Sequence, residues 1–198
     1  MAVSIEEIKK LKELTGLGLT DAKKALVEAE GDFDKALESL RKKGLTKAEK
    51  KGEREAREGL IESYVHGGRI GVIVEVNCET DFVARTDDFK NFAHQIAMQI
   101  AAMSPVYASE ADIPEEEKSR VKAEAEERVA KENKPAEIAA KIVDGQVSKY
   151  FSEKVLLEQK YIMDDSKTID QFLKEAIAKL GENIVIRRFS RIELGVSE

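Results

Sequence analysis

The sequence predicts an α+β protein: short N-terminal helices, then a core with a small antiparallel sheet covered by helices, and a protruding helical hairpin. Three observations carry this. The first 44 residues hold three apolar stripes at helical spacing separated by glycines; the period changes to two on either side of His66-Gly67-Gly68-Arg69; and two highly charged helical stretches are divided at Lys134-Pro135. The expected organisation is a three-helix module over residues 1–45, a helical linker over 46–58 and an α+β core over 59–198, with the hairpin at about 114–152.

In the N-terminal module, Ile5, Ile8, Leu11 and Leu14 give the first stripe, Ala22, Ala25, Leu26 and Ala29 the second, and Phe33, Ala36, Leu37 and Leu40 the third. Thr20 and Asp32 stand at N-cap positions, Gly16, Gly18 and Gly31 mark turns, and Gly44 after Lys42-Lys43 reads as a helix end. From Leu45 to Glu58 the apolar stripe is lost. Lys47, Lys50, Lys51, Arg54 and Arg57 among acids read as a solvated helical face, or else as a nucleic-acid patch.

The core begins with a β-hairpin, Leu60 to Val65 and Ile70 to Cys78 around the His66–Arg69 turn. The second run is apolar at nearly every position, which predicts a central strand covered on most of both faces. Phe89, Phe92, Ile96, Ile100 and Met103 predict a helix over 86–103 that packs on the sheet. Two further helices, Glu115 to Asn133 and Ala136 to Phe151, form the hairpin. The first has only Val121, Ala125 and Val129 as an apolar seam, which predicts an arm lying largely in solvent or against a partner. A helix over 169–180, a break at Gly181-Glu182-Asn183 and a strand over 184–194 complete the chain.

Composition narrows the function. A chain with 42% hydrophobic and 36% charged residues folds, because its apolar share is too large for disorder. The longest uncharged apolar run, Ile70 to Val74 with Val76 beyond Glu75, is far below the roughly 20 residues a membrane span needs, and the start Met1-Ala2-Val3-Ser4-Ile5-Glu6-Glu7 lacks a signal-peptide pattern. The single cysteine, Cys78, reads as a packed small hydrophobe, and His66 and His94 make no metal-ligand spacing, so no metal and no cofactor are expected. Gly67-Gly68 precedes a strand and lacks the P-loop pattern. A net charge of −6 disfavours the phosphate backbone as the main partner, so a protein partner is expected, with no direct nucleic acid and no membrane. Thr80-Asp81-Phe82-Val83 lies between a buried strand and a helix. It reads either as a presented polar-aromatic tip or as a cap with a core phenylalanine.

The run Leu11-Lys12-Glu13-Leu14-Thr15-Gly16-Leu17-Gly18-Leu19-Thr20-Asp21-Ala22-Lys23-Lys24-Ala25-Leu26 resembles the first signature of the elongation factor Ts family, and Glu75-Val76-Asn77-Cys78-Glu79-Thr80-Asp81-Phe82-Val83-Ala84-Arg85 resembles the second. Gly181-Glu182-Asn183-Ile184 resembles the family's lead into its C-terminal strand. The resemblance covers essentially the whole chain, including a ubiquitin-associated-like helical module at the start and a hairpin similar to the family's coiled-coil arm.

It implies a cytoplasmic guanine-nucleotide exchange factor in translation elongation, not an enzyme. Such a factor binds elongation factor Tu in its GDP-bound and nucleotide-free states, displaces the magnesium ion and promotes GDP release so that GTP can bind. Thr80, Asp81, Phe82 and Val83 are implied to enter elongation factor Tu beside its magnesium site, with Phe82 wedging between side chains and Asp81 repositioning the magnesium-binding elements. Leu19, Thr20 and Lys23 are implied contacts of the N-terminal module, although Lys23 reads equally well as a solvated lysine. Longer family members carry two related core halves. This sequence has one and resembles the short form, so a homodimer is expected. A ubiquitin-like or generic peptide-binding module and an RNA-binding accessory protein are the competing readings.

Overall fold

The computed structural model describes residues 4–131 and 135–196; Asn133 and Lys134, at the predicted break between the charged helices, lie outside them. In chain order the elements are α1 (Ile5–Thr15), α2 (Leu19–Glu28), α3 (Phe33–Glu49), β1 (Glu58–His66), β2 (Ile70–Cys78), α4 (Asp81–Ala84), α5 (Asp87–Met103), α6 (Glu115–Ala130), α7 (Ala136–Lys154), β3 (Lys160–Tyr161), β4 (Asp164–Thr168), α8 (Ile169–Leu180) and β5 (Ile184–Glu193), with short 3-10 turns at Glu110–Asp112 and Leu156–Glu158. The α+β class is as the sequence predicts. The chain divides into two compact units, one holding the described residues up to Met98 together with those from Asp170, the other Gln99–Ile169.

In the first unit, α1 to α3 close around Leu11, Leu17, Ala22, Ala25, Leu26, Ala36 and Leu40. Ile5 and Leu14, expected in this core, are 71% and 55% exposed. Steps of three residues fall short of the 3.6-residue turn, so the two ends of that stripe drift to opposite sides of the helix. Asp32 caps α3 as predicted, its carboxylate accepting from the Lys35 amide at 3.0 Å. Thr20 does not cap α2. Gly18 occupies that position in extended backbone, and Thr20 sits within the first turn. Gly44 is not a helix end either: α3 runs through it to Glu49, and a Cβ there would lie 3.3 Å from the Ala178 methyl of α8. The glycine is a packing residue where two helices approach.

The sheet has the order β1-β2-β5, antiparallel throughout. Gly67 and Gly68 both take positive φ, 56° and 69°, and the Arg69 amide donates to the His66 carbonyl at 3.0 Å, the geometry that matches a hairpin's twist. Val72, Val74 and Val76 are buried. On that face His94 of α5 lies 2.8 Å from Glu62 and edge-on to Tyr64, both on β1, while Phe92 stacks near Phe172 of α8 with centroids 5.1 Å apart. The opposite face is not covered: Ile61, Val65, Ile73 and Ile192 are all more than half exposed. Cover on both sides of β2 was the expectation; α5 and α8 instead supply one layer on one side. A bulge between Glu75 and Val76 leaves Arg187 without an opposite residue, and its guanidinium reaches the Asn77 side-chain oxygen and the Ala56 carbonyl.

In the second unit α6 and α7 pack against each other. Val121, Ala125 and Val129 are buried, two of them against Ala139, Ile142, Val143 and Val147 of α7. Every other position of α6 is exposed or half-buried, so this arm lies largely in solvent as expected, with its narrow seam closed against α7 inside the hairpin. Met103, predicted on the buried stripe of α5, is 45% exposed at the helix end. Gln99 and Gln159 are buried but paired: Gln99 donates to the Lys160 carbonyl at 3.0 Å and accepts from the Ile162 amide at 2.9 Å, and Gln159 donates to the Glu153 carbonyl at 2.8 Å.

Candidate functional site: a fastened turn at the end of the central strand

β2 leaves the sheet at Cys78, and the chain turns through Glu79 and Thr80 into the single helical turn α4. Thr80 has extended backbone and caps this turn, its hydroxyl oxygen accepting from the Val83 amide at 3.5 Å. The capping reading is thus correct as far as Thr80 goes. The same residue is held at every polar atom: its amide donates to Glu182 Oε2 at 3.0 Å, its hydroxyl donates to Glu182 Oε1 at 2.6 Å, and its carbonyl accepts from the Cys78 thiol at 3.1 Å. Two residues on, Phe82 is 78% exposed. A core position for Phe82 is excluded. Asp81 pairs with Arg85 at 2.8 Å, one turn along, and Val83 is half-buried.

A second set of bonds fixes the base of this turn. Glu79 accepts from the Asn183 amide at 2.6 Å and lies 3.5 Å from Arg54. Asn183, 2% exposed, donates its side-chain amide to the Arg54 carbonyl at 2.7 Å and the Gly52 carbonyl at 3.4 Å. Lys51 donates to the Gly181 carbonyl, and burial, helped by the Arg54 charge, holds its pKa below the usual lysine range. Three stretches distant in sequence therefore interlock: the turn after α3, the end of β2, and the loop from α8 to β5. Burial, with the Glu182 charge behind it, pushes the Cys78 thiol up to about 11, so it stays protonated and serves as a donor. That agrees with a packed cysteine rather than a reactive one.

Leu19, Thr20 and Lys23 lie on the N-terminal half of α2, all exposed, with Leu19 and Lys23 one turn apart. Asp21 between them is bound by Lys43 at 2.7 Å and Lys47 at 2.9 Å, and these hydrogen bonds hold its carboxyl at about 2. Glu182, Asn183 and Glu79 were not among the predicted site residues. The only signal for the first two was their place in the Gly181-Glu182-Asn183-Ile184 run. His66 pairs with Tyr64 at 2.9 Å and His94 with Glu62, neither beside a nucleophile. Among the described residues no cluster of three or more His, Cys, Asp or Glu could hold a metal ion, and no helix is long and apolar enough to cross a membrane.

Fold and turn together describe an α+β scaffold that presents one exposed aromatic on a tightly held loop. The family model described as Elongation factor TS matches residues 6–176, and the chain belongs to that family of translation elongation factors. Elongation factor Ts of Caldanaerobacter subterraneus is 53% identical over 194 residues, covering 98% of this chain and 97% of that one. Those of Thermoanaerobacter pseudethanolicus and Thermotoga neapolitana are 54% and 52% identical, each over 98% of this chain and over 95% and 98% of their own lengths.

Proposed function

We propose that this protein is a guanine-nucleotide exchange factor, not an enzyme, that acts in the cytoplasm on the GTPase elongation factor Tu. It engages the GDP form, displaces the magnesium ion and releases GDP, and GTP then completes the cycle. The observation that supports this best is the contrast within Thr80-Asp81-Phe82-Val83: an aromatic side chain 78% exposed on a turn whose base is fully hydrogen-bonded. An exposed phenylalanine held on a stiff turn is suited to insertion into another protein.

Magnitudes limit what the wedge does alone. Each tenfold in release rate needs about 1.4 kcal/mol of differential stabilisation, and burying one Phe contributes about 1.5–3 kcal/mol, so Phe82 accounts for roughly one to two decades. The remainder falls to a wider interface, to which the three-helix module over residues 1–45 contributes through Leu19, Thr20 and Lys23. By linkage, a factor that favours the nucleotide-free GTPase is itself bound more weakly when GDP is present.

The open sheet face, with Ile61, Val65, Ile73 and Ile192 exposed, supports a homodimer in which a second copy covers it. The RNA-binding reading loses ground because Lys47, Arg54 and Arg57 are already paired with Asp21, Glu79 and Glu55.

The test is release of fluorescent GDP from purified elongation factor Tu, with and without the protein and with Phe82→Ala. Strong acceleration blunted by the substitution is expected; no acceleration by the unsubstituted chain would remove the exchange reading.

A further inference from the structure

Thr80 offers a partner very little. Its amide and hydroxyl both donate to the Glu182 carboxylate, its hydroxyl oxygen also faces the Val83 amide, and its carbonyl accepts from Cys78 and from the Ala84 amide at 3.3 Å. A hydroxyl with its donor and an acceptor lone pair engaged inside its own chain is not free to read another protein. The Glu182 carboxylate reaches it from 102 residues away, with one oxygen on each donor. Two charge-assisted bonds from one carboxylate to one residue fix both position and rotation. Glu182 is itself held on both sides, since the Gly181 carbonyl accepts from Lys51 and Asn183 is buried with both its amide groups bonded.

We propose that Glu182 is a positioning residue for the exchange reaction, resting on the reading above, and that Thr80 is its anchor point rather than a contact with the GTPase. Glu182 ties the root of α4 to the loop before β5, so that Phe82 meets the partner in one orientation. A finger that swivels spends part of its time in geometries that cannot wedge, and the release rate falls in proportion to the competent fraction. The wide interface is unaffected by that fraction. The deficit therefore falls on the maximal rate and not on the concentration needed for half-maximal effect.

The experiment has two readouts on the full chain. The first is GDP release from the GTPase as a function of factor concentration. Glu182→Ala is expected to lower the saturating rate about tenfold and to move the half-maximal concentration less than about twofold. Glu182→Gln keeps most of the rate, because the amide can accept from the Thr80 N–H and donate to its hydroxyl oxygen. Thr80→Val slows release, Thr80→Ser restores it, and Thr80→Val combined with Glu182→Ala is no slower than Glu182→Ala alone.

The second readout is hydrogen exchange of the Asp81–Ala84 amides in the free protein, expected about tenfold faster in Glu182→Ala and in Thr80→Val at unchanged protection of β2. Unchanged protection of that turn in both variants overturns the proposal, as does a Thr80→Ser protein that behaves like Thr80→Val. If the unsubstituted chain fails to accelerate release, the exchange reading falls, while the amide measurement still decides whether Glu182 anchors the turn.

Discussion

The turn after β2 and the first turn of α2 are both expected to touch a partner, and the molecule fastens them differently. Thr80 is fixed by a half-buried carboxylate, itself locked by the buried Asn183, whereas the α2 turn is tied to α3 by Asp21 between two half-exposed lysines. A network of short bonds at the edge of a core resists rotation, while surface ion pairs are screened and individually weak. The difference suits their proposed tasks. A wedge must transmit force without yielding, whereas a gripping helix needs only an exposed face, which Leu19 and Lys23 supply.

That contrast can be broken or sharpened in order of expected effect. Phe82→Ala removes the wedge and should slow stimulated GDP release by roughly 10- to 100-fold, the equivalent of about 1.5–3 kcal/mol, while thermal unfolding stays within about 0.5 kcal/mol because the side chain is exposed. A comparable loss of stability in the same variant would mean that Phe82 packs inward in solution. Asn183→Ala should do the reverse: leaving the Arg54 and Gly52 carbonyls without their donor costs about 1–3 kcal/mol in chemical denaturation.

Asp21→Asn comes next, at about 1 kcal/mol after allowing for screening. The folded carboxyl, at about 2, lies below its ordinary 3.8. Its contribution is complete above the unfolded value and is lost as pH falls from about 4 towards 2, so the substituted protein should lack that part of the acid sensitivity. Added salt should shrink the Asp21 effect and leave the Asn183 effect nearly unchanged. Lys23→Ala is the smallest, within about 0.5 kcal/mol in stability, with weaker factor binding and an unaltered maximal rate. A lowered maximal rate would place Lys23 with the wedge rather than with the grip.

Outside this pair, Ile73→Asp tests the open sheet face. Sedimentation should show loss of a dimer with the monomer still folded, because Ile73 is 56% exposed in the single chain.

Local patterns in the sequence were legible where chemistry and spacing act over a few residues. The helix expected over 169–180 is α8, Gly67-Gly68 marked the hairpin turn, Asp32 marked the start of α3, and the two signatures with the Gly181–Ile184 run marked the family. Errors arose where a local signal has two tertiary meanings. Gly44 looks like a helix end until Ala178 is known to pack against it. The apolar run Ile70–Val76 looks doubly buried until α5 and α8 are found on one face only.

The sequence alone determined the class, most of the helices and the β-hairpin, the family and the place of the Thr80–Val83 turn, because periodicity, glycine geometry and motif are properties of neighbouring residues; the helix expected over 46–58 ends at Glu49. Only the folded chain decided that Phe82 faces solvent, that Thr80 belongs to Glu182, and that one side of the sheet stays open. Each of these depends on which distant segments meet, and a hydrogen bond spanning 102 residues leaves no period in the sequence to read.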